Sequence, residues 1–185
     1  GTTTGTTGTT DDKTNTASGS GSLASNTTGV GVDNTAMGFS SLTSNTTGID
    51  NTALGSLSLL SNTTGDRNTA LGFGSLTSNT TGNHNTAVGN DAAQKCTSGT
   101  FNTVIGSGAD VNSSDAKNQI VIGANQKGQG DNTAVIGGDS VHMNTIVLGC
   151  QSGISTVSME EDVAAQEDGP GVDGQIRLCN NQLQL

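Results

Sequence analysis

The sequence predicts an all-β fold: a parallel β-solenoid, or β-roll, whose 17-residue coils shorten to 14 and then 12 residues. Three observations carry that reading. The unit N-T-A-apolar-G-x-x-S-L-x-S-N-T-T-G-x-x recurs, and the Gly closing its apolar piece stands at Gly38, Gly55, Gly72, Gly89, Gly106 and Gly123, five steps of 17 residues. The chain has no Trp or Tyr and three Phe against 28 Gly, too few large side chains for a conventional core. Only 12% of residues are charged and there is one Pro, which departs from the composition of disordered chains. Periods this short belong to solenoids, in which each coil is one supersecondary unit stacked on the next.

Residues 1–14, opening GTTTGTTGTT, have the composition of a flexible linker. The solenoid is expected over 15–155. A weaker first copy ends at Gly19, two residues out of phase because of the extra residues in VGVD (30–33), and shorter steps lead from Gly123 to Gly137 and Gly149. Each coil should hold a short strand, NTALG or a variant of it, that becomes FNTVIG, NQIVIG, NTAVIG and NTIVLG towards the C-terminus.

Alternate residues of a strand face the same way. We assign the residue before each Gly to the interior: Met37, Leu54, Leu71, Val88, Ile105, Ile122, Ile136 and Leu148 form the expected repeat core. The Thr rank two residues earlier (Thr35, Thr52, Thr69, Thr86, Thr103) would then also face inward. The small residues between them (Ala36, Ala53, Ala70, Ala87, then Val104, Val121, Val135 and Val147) would lie on the outer face, open to close approach by another surface.

The second half of each unit centres on Leu23, Leu42, Leu59 and Leu76, aligned with Ala93, and runs into SNTTG. Asn tolerates left-handed backbone and closes turns with its side chain, and Gly accepts positive φ freely. Asn26, Asn45, Asn62 and Asn79 with Gly29, Gly48, Gly65 and Gly82 are therefore the expected turns between coils, their Asn side chains stacking as ladders. Residues 156–173 form an acidic connector, with a capping-box pattern at Ser158 and Glu161 that also suits a short helix. Residues 174–185 read as a β-hairpin turning at Asn180-Asn181.

Chemistry is hard to place on this chain. His84 and His142 fall at unrelated phases of the repeat, outside any ligand motif. The glycines form no phosphate loop, and no G-x-S-x-G nucleophile elbow stands out. Cys96, Cys150 and Cys179 lack a C-x-x-C spacing. The six acidic residues between Glu160 and Asp173 lack the spacing of a calcium loop. We expect no enzymatic activity, no cofactor and no metal. The net charge of −10 disfavours nucleic acid and anionic membranes, and no apolar run has the length of a membrane span. Five N-x-[ST] sequons occur, at Asn26, Asn45, Asn62, Asn79 and Asn112, and four of them are the repeating corner.

The later units NQIVIG, NTAVIG and NTIVLG, spaced by 14 and 12, resemble the S-V-A-I-G repeats in the head of YadA-type trimeric autotransporter adhesins. The NTALGxxSLxSNTTG units are similar to a longer variant found in phage and large-virus fibre proteins and in bacterial surface proteins. The likeness covers roughly residues 15–150. It implies a trimer of parallel β-rolls, left-handed in the adhesin heads, packed side by side around a threefold axis. The Ile, Leu and Val would lie inside each roll and the Ala/Val face would turn towards neighbours. Within residues 1–185 we expect no neck, coiled-coil stalk or membrane anchor, and the hairpin after an acidic connector is more similar to the segment preceding the folding domain of a viral fibre.

The functional expectation is a non-enzymatic structural or attachment protein: a rigid homotrimeric segment of a viral or phage fibre or a cell-surface adhesin, extracellular or on a virion, presenting a surface to a host receptor or glycan. The alternatives are a self-assembling extracellular filament and, from a different class, an ice-binding solenoid that uses the Thr rank.

Overall fold

The computed structural model describes residues 14–27 and 30–137, and these form an all-β parallel solenoid without any helix. Its eight strands have three residues each: β1 (Thr16–Ser18), β2 (Thr35–Met37), β3 (Thr52–Leu54), β4 (Thr69–Leu71), β5 (Thr86–Val88), β6 (Thr103–Ile105), β7 (Ile120–Ile122) and β8 (Ala134–Ile136). Each pairs in parallel with the next in chain order, which makes one eight-stranded sheet. The register places Thr on Thr and Ala on Ala from β2 to β5, so each step is one repeat of the sequence. The step is longer from Thr16 to Thr35 and shorter from Ile120 to Ala134, as the repeat spacing predicts. Gly29, Leu148, the N-terminal segment 1–13, the connector 156–173 and the hairpin 174–185 lie outside the described residues.

Backbone ladders run along the other sides of the coil as well. Leu42 N donates to Ser58 O at 3.1 Å, Leu59 N to Ser75 O at 3.0 Å and Thr63 N to Thr80 O at 2.9 Å. On another side Arg67 N donates to Ile49 O at 3.0 Å and His84 N to Asp66 O at 3.0 Å. A coil therefore satisfies its peptide groups largely through its two neighbours, which is how so polar a chain can close around so small a core.

The facing of the strands is the reverse of the sequence expectation. Ala36, Ala53, Ala70 and Ala87, followed by Val104 and Val121, are buried, and Leu23, Leu42, Leu59 and Leu76 pack with them in a single core. Met37, Leu54, Leu71, Ile105 and Ile136 are exposed, and Val88 and Ile122 are half-buried. The Thr rank shares their outward face. The cause is one residue further back along the strand. Asn34 is buried and its Nδ2 donates to Gly48 O at 2.8 Å; Asn51, Asn68 and Asn85 do the same to Gly65, Gly82 and Gly99. With a period of two, an inward Asn fixes Ala inward and sends Thr and Leu out. The interior has room for one leucine per coil, and that leucine comes from the S-L-x-S half of the unit.

The leucines of that column are bent into left-handed backbone: φ is 49° at Leu42 and Leu59 and 51° at Leu76. A left-handed L-residue costs about 1–2 kcal/mol. Burying a leucine gains about 1.5–3 kcal/mol. The burial term is the larger, so the column keeps Leu where Gly would be the relaxed choice.

Candidate functional surface

The outward face of the strands is the candidate functional surface. It carries two parallel ranks. In one stand Thr16, Thr35, Thr52, Thr69, Thr86 and Thr103, continued by Ile120 and Ala134. In the other stand Ser18, Met37, Leu54, Leu71, Val88, Ile105, Ile122 and Ile136. Met37, Leu54, Leu71 and Ile136 are each 43% exposed and Ile120 42%, so one rank of the face is apolar from β2 to β8 beside a rank of Thr. At about 4.8 Å between strands, eight strands make a file about 34 Å long and, at three residues, about 10 Å wide. Single exposed apolar residues are ordinary, whereas a continuous file of this kind marks an interaction surface.

The predicted corner residues lie away from this face, in the interior. Asn45, Asn62 and Asn79 are buried in a second ladder. Asn62 Nδ2 donates to Asn45 Oδ1 at 2.8 Å and to Gly65 O at 3.0 Å, and Asn79 repeats the pattern with Asn62 and Gly82 at 2.8 and 3.1 Å. The half-buried Asn26 begins the ladder, and its Nδ2 donates to Gly31 O at 2.7 Å. Gly31 thus holds in the first coil the place that Gly48 holds in the second, a shift that absorbs the two extra residues. The ladder stops at Cys96, which occupies the next rung and leaves Asn79 Oδ1 without a donor. Cys96 is buried, and burial pushes its thiol up to about 11, so it is an inert filler; Cys150, Cys179 and His142 lie outside the described residues.

A third feature is a ridge of left-handed residues preceding the strand Asn, or Gln119 and Thr133 in the last two coils: Asp33, Asp50, Arg67, His84, Phe101, Asn118 and Asn132 all have φ between 53° and 60°. Arg67 Nε lies 3.5 Å from Asp50 Oδ2, and the His84 and Phe101 rings stack at 4.7 Å. Both pairs are exposed, so each contributes at most about 1 kcal/mol. Among the described residues no group of three or more His, Cys, Asp or Glu could hold a metal ion, and no helix is long and apolar enough to cross a membrane.

Asp110 is the one carboxylate among the described residues that is buried. It stands in the leucine column above Ala93, where Val111 takes over the core position. Its Oδ1 accepts from Lys95 N at 3.1 Å and Val111 N at 3.0 Å, replacing the carbonyl that the ladder lacks there. Burial raises its pKa despite these bonds and the nearby Lys95 and Lys127. A raised folded-state pKa means that the folded chain binds the proton more tightly than the unfolded one. Stability from this group is therefore full below the ordinary carboxylate pKa and declines as pH rises through the raised value. Asp110→Asn keeps an acceptor for both amides. It should be more stable than the parent at pH 7, with the gap closing towards pH 4, as read from urea midpoints across that range.

No known family model, curated protein or solved structure matches this chain.

Proposed function

We propose that this chain is a non-enzymatic structural and attachment protein, three copies of which pack their outward strand faces together to form a rigid segment of a fibre or surface appendage. The observation that carries the reading is the unbroken apolar file from Met37 to Ile136. A strip about 34 Å by 10 Å offers roughly 340 Å² per chain, well under the ~800 Å² per partner of a stable pairwise interface. Two flat strips would leave much of each file wet. Three strips converging on an axis cover one another from two sides and build a second core between the chains. The adhesin-head and fibre resemblance of the repeats supports the same arrangement, with the correction that the Leu/Ile rank, not the Ala rank, meets the neighbours. The ridge from Asp33 to Asn132 is left on the outside, and it is the surface such a fibre would present to a receptor or glycan. The setting is extracellular or on a virion.

The test is substitution of Leu54 and Leu71 by Lys together. Both side chains leave the roll's own core untouched, so the variant should keep its β circular dichroism. Sedimentation should show it as single chains where the parent sediments as three. An unchanged mass for the variant would refute the seam.

The outward Thr rank favours one second reading, an ice-binding face. Ice-binding arrays use two Thr per strand, and here the second rank is aliphatic. Thermal hysteresis in a solution of the parent chain would support that reading, and its absence would remove it.

A further inference from the structure

The sequons of the repeat carry an inference independent of the trimer. Asn45, Asn62 and Asn79 each open an N-T-T sequon, and each is fully buried. Both hydrogens of each Nδ2 are engaged: Asn45 with Asn26 Oδ1 at 2.9 Å and Gly48 O at 3.0 Å, Asn62 and Asn79 with the preceding rung and their own corner Gly. The space around them is closed as well. A Cβ built on Gly48 would lie 2.5 Å from Asn45 Oδ1, and one on Gly65 would lie 2.4 Å from Asn62 Oδ1. No room exists for a methyl group there, and none for a sugar. Asn112 differs. It heads N-S-S, is exposed in a bend, and uses its Oδ1 to accept from Gln119 Nε2.

N-linked transfer replaces one of those hydrogens. The Asn Nδ2 attacks C1 of the first sugar of a polyprenyl-diphosphate-linked oligosaccharide; the N–C1 bond forms, the C1–O bond breaks, the polyprenyl diphosphate leaves, and the Nδ2 proton passes to solvent through the transferase. Transfer to an unfolded chain does not discriminate between the five Asn, Asn26 included, because each sequon is intact in sequence. Transfer at a rung removes a ladder hydrogen bond and places a large polar group, which belongs on a surface, between two stacked coils.

We propose that N-glycosylation of the corners and folding of the coils exclude one another, so that this chain folds by a route on which its unfolded form does not meet an oligosaccharyl transferase, and that Asn112 is the sequon able to carry a glycan on the folded coils. The corner Thr that completes each sequon (Thr47, Thr64, Thr81) is exposed, so the sequons can be removed without disturbing the Asn rungs.

The experiment sends the whole chain, behind a cleavable secretion leader, through a eukaryotic secretory pathway in three arms: the parent, the parent with an inhibitor of lipid-linked oligosaccharide assembly, and a variant with Thr28, Thr47, Thr64 and Thr81 each replaced by Ala. Soluble folded chain should be at least tenfold scarcer in the first arm than in the second or third. Glycans on Asn45, Asn62 and Asn79 should appear only in aggregated material, and the variant should carry its glycan on Asn112. Folded parent in the first arm, whether its corners carry glycans or have escaped them, would overturn the proposal. So would second and third arms that are both no better than the first.

Discussion

Replacing Gly72 with alanine should remove most of the folded population. Gly72 has φ +134°, a conformation that L side chains rarely adopt, and an added Cβ would lie 2.4 Å from Gly89 O and 2.6 Å from Gly89 C in the next coil. Those atoms cannot step aside, because Gly72 N donates to Leu54 O at 2.9 Å and Gly89 N to Leu71 O at 2.8 Å. The strain of the backbone alone is worth about 1–3 kcal/mol. The clash with backbone adds to it, so a loss of at least about 3 kcal/mol is expected against a typical total of about 5–15. Gly130→Ala separates the two terms: its φ is +143° but nothing lies within 4 Å of the added carbon. It should lose only the strain. Urea unfolding followed by circular dichroism would rank the pair, and equal losses would show that packing between coils is not what requires Gly72.

Asn68→Ala is the second large effect. Asn68 Nδ2 donates to Gly82 O at 2.8 Å and Asn51 Oδ1 at 3.1 Å, while its Oδ1 accepts from Asn85 N at 3.0 Å and Asn85 Nδ2 at 3.1 Å. Gly82 O and Asn51 Oδ1 each keep one other donor, from Asn79 Nδ2 and Asn68 N. The backbone N–H of Asn85 is left buried with no acceptor, at about 1–3 kcal/mol, while its Nδ2 keeps Gly99 O, and each of the other lost bonds adds about 1. A total of about 4–6 kcal/mol is expected. Asn118→Ala, whose bond to Asn132 is exposed, should lose only the tolerance of Asn for left-handed backbone, about 1 kcal/mol and well short of the loss at Asn68. If Asn68→Ala proved as mild as Asn118→Ala, the buried ladder would not be what holds the coils in register.

The 17-residue step of the repeat was legible because the Gly that closes each strand must lie under the next coil, and a residue so constrained recurs without variation. The side of the strand that faces in was not legible from the apolar residues. Leucine before Gly looks like core and alanine beside it looks like surface, yet the interior is too narrow for a second leucine. The signal that settles the parity is Asn34, Asn51 and Asn68, whose side-chain amides reach inward to donate to the corner carbonyls. Had those Asn been read as inward, Ala36 would have followed and Met37 would have fallen outside. The left-handed backbone at Leu59, Arg67 and Phe101 left no mark either, since none of these residue types favours it. Their conformation is imposed by ladders on both sides of the coil. Asp110 in the leucine column was hidden for a similar reason: the repeat alignment places it there, but only the amides of Lys95 and Val111 explain why a carboxylate can stand in that position.

The most direct test of the account is the native mass of the parent chain at micromolar concentration, by light scattering after size exclusion. Three times the 18.3 kDa of one chain is the result predicted by three outward faces closing on an axis. A stable, folded single chain would contradict it, because the apolar file from Met37 to Ile136 would then stand open to water.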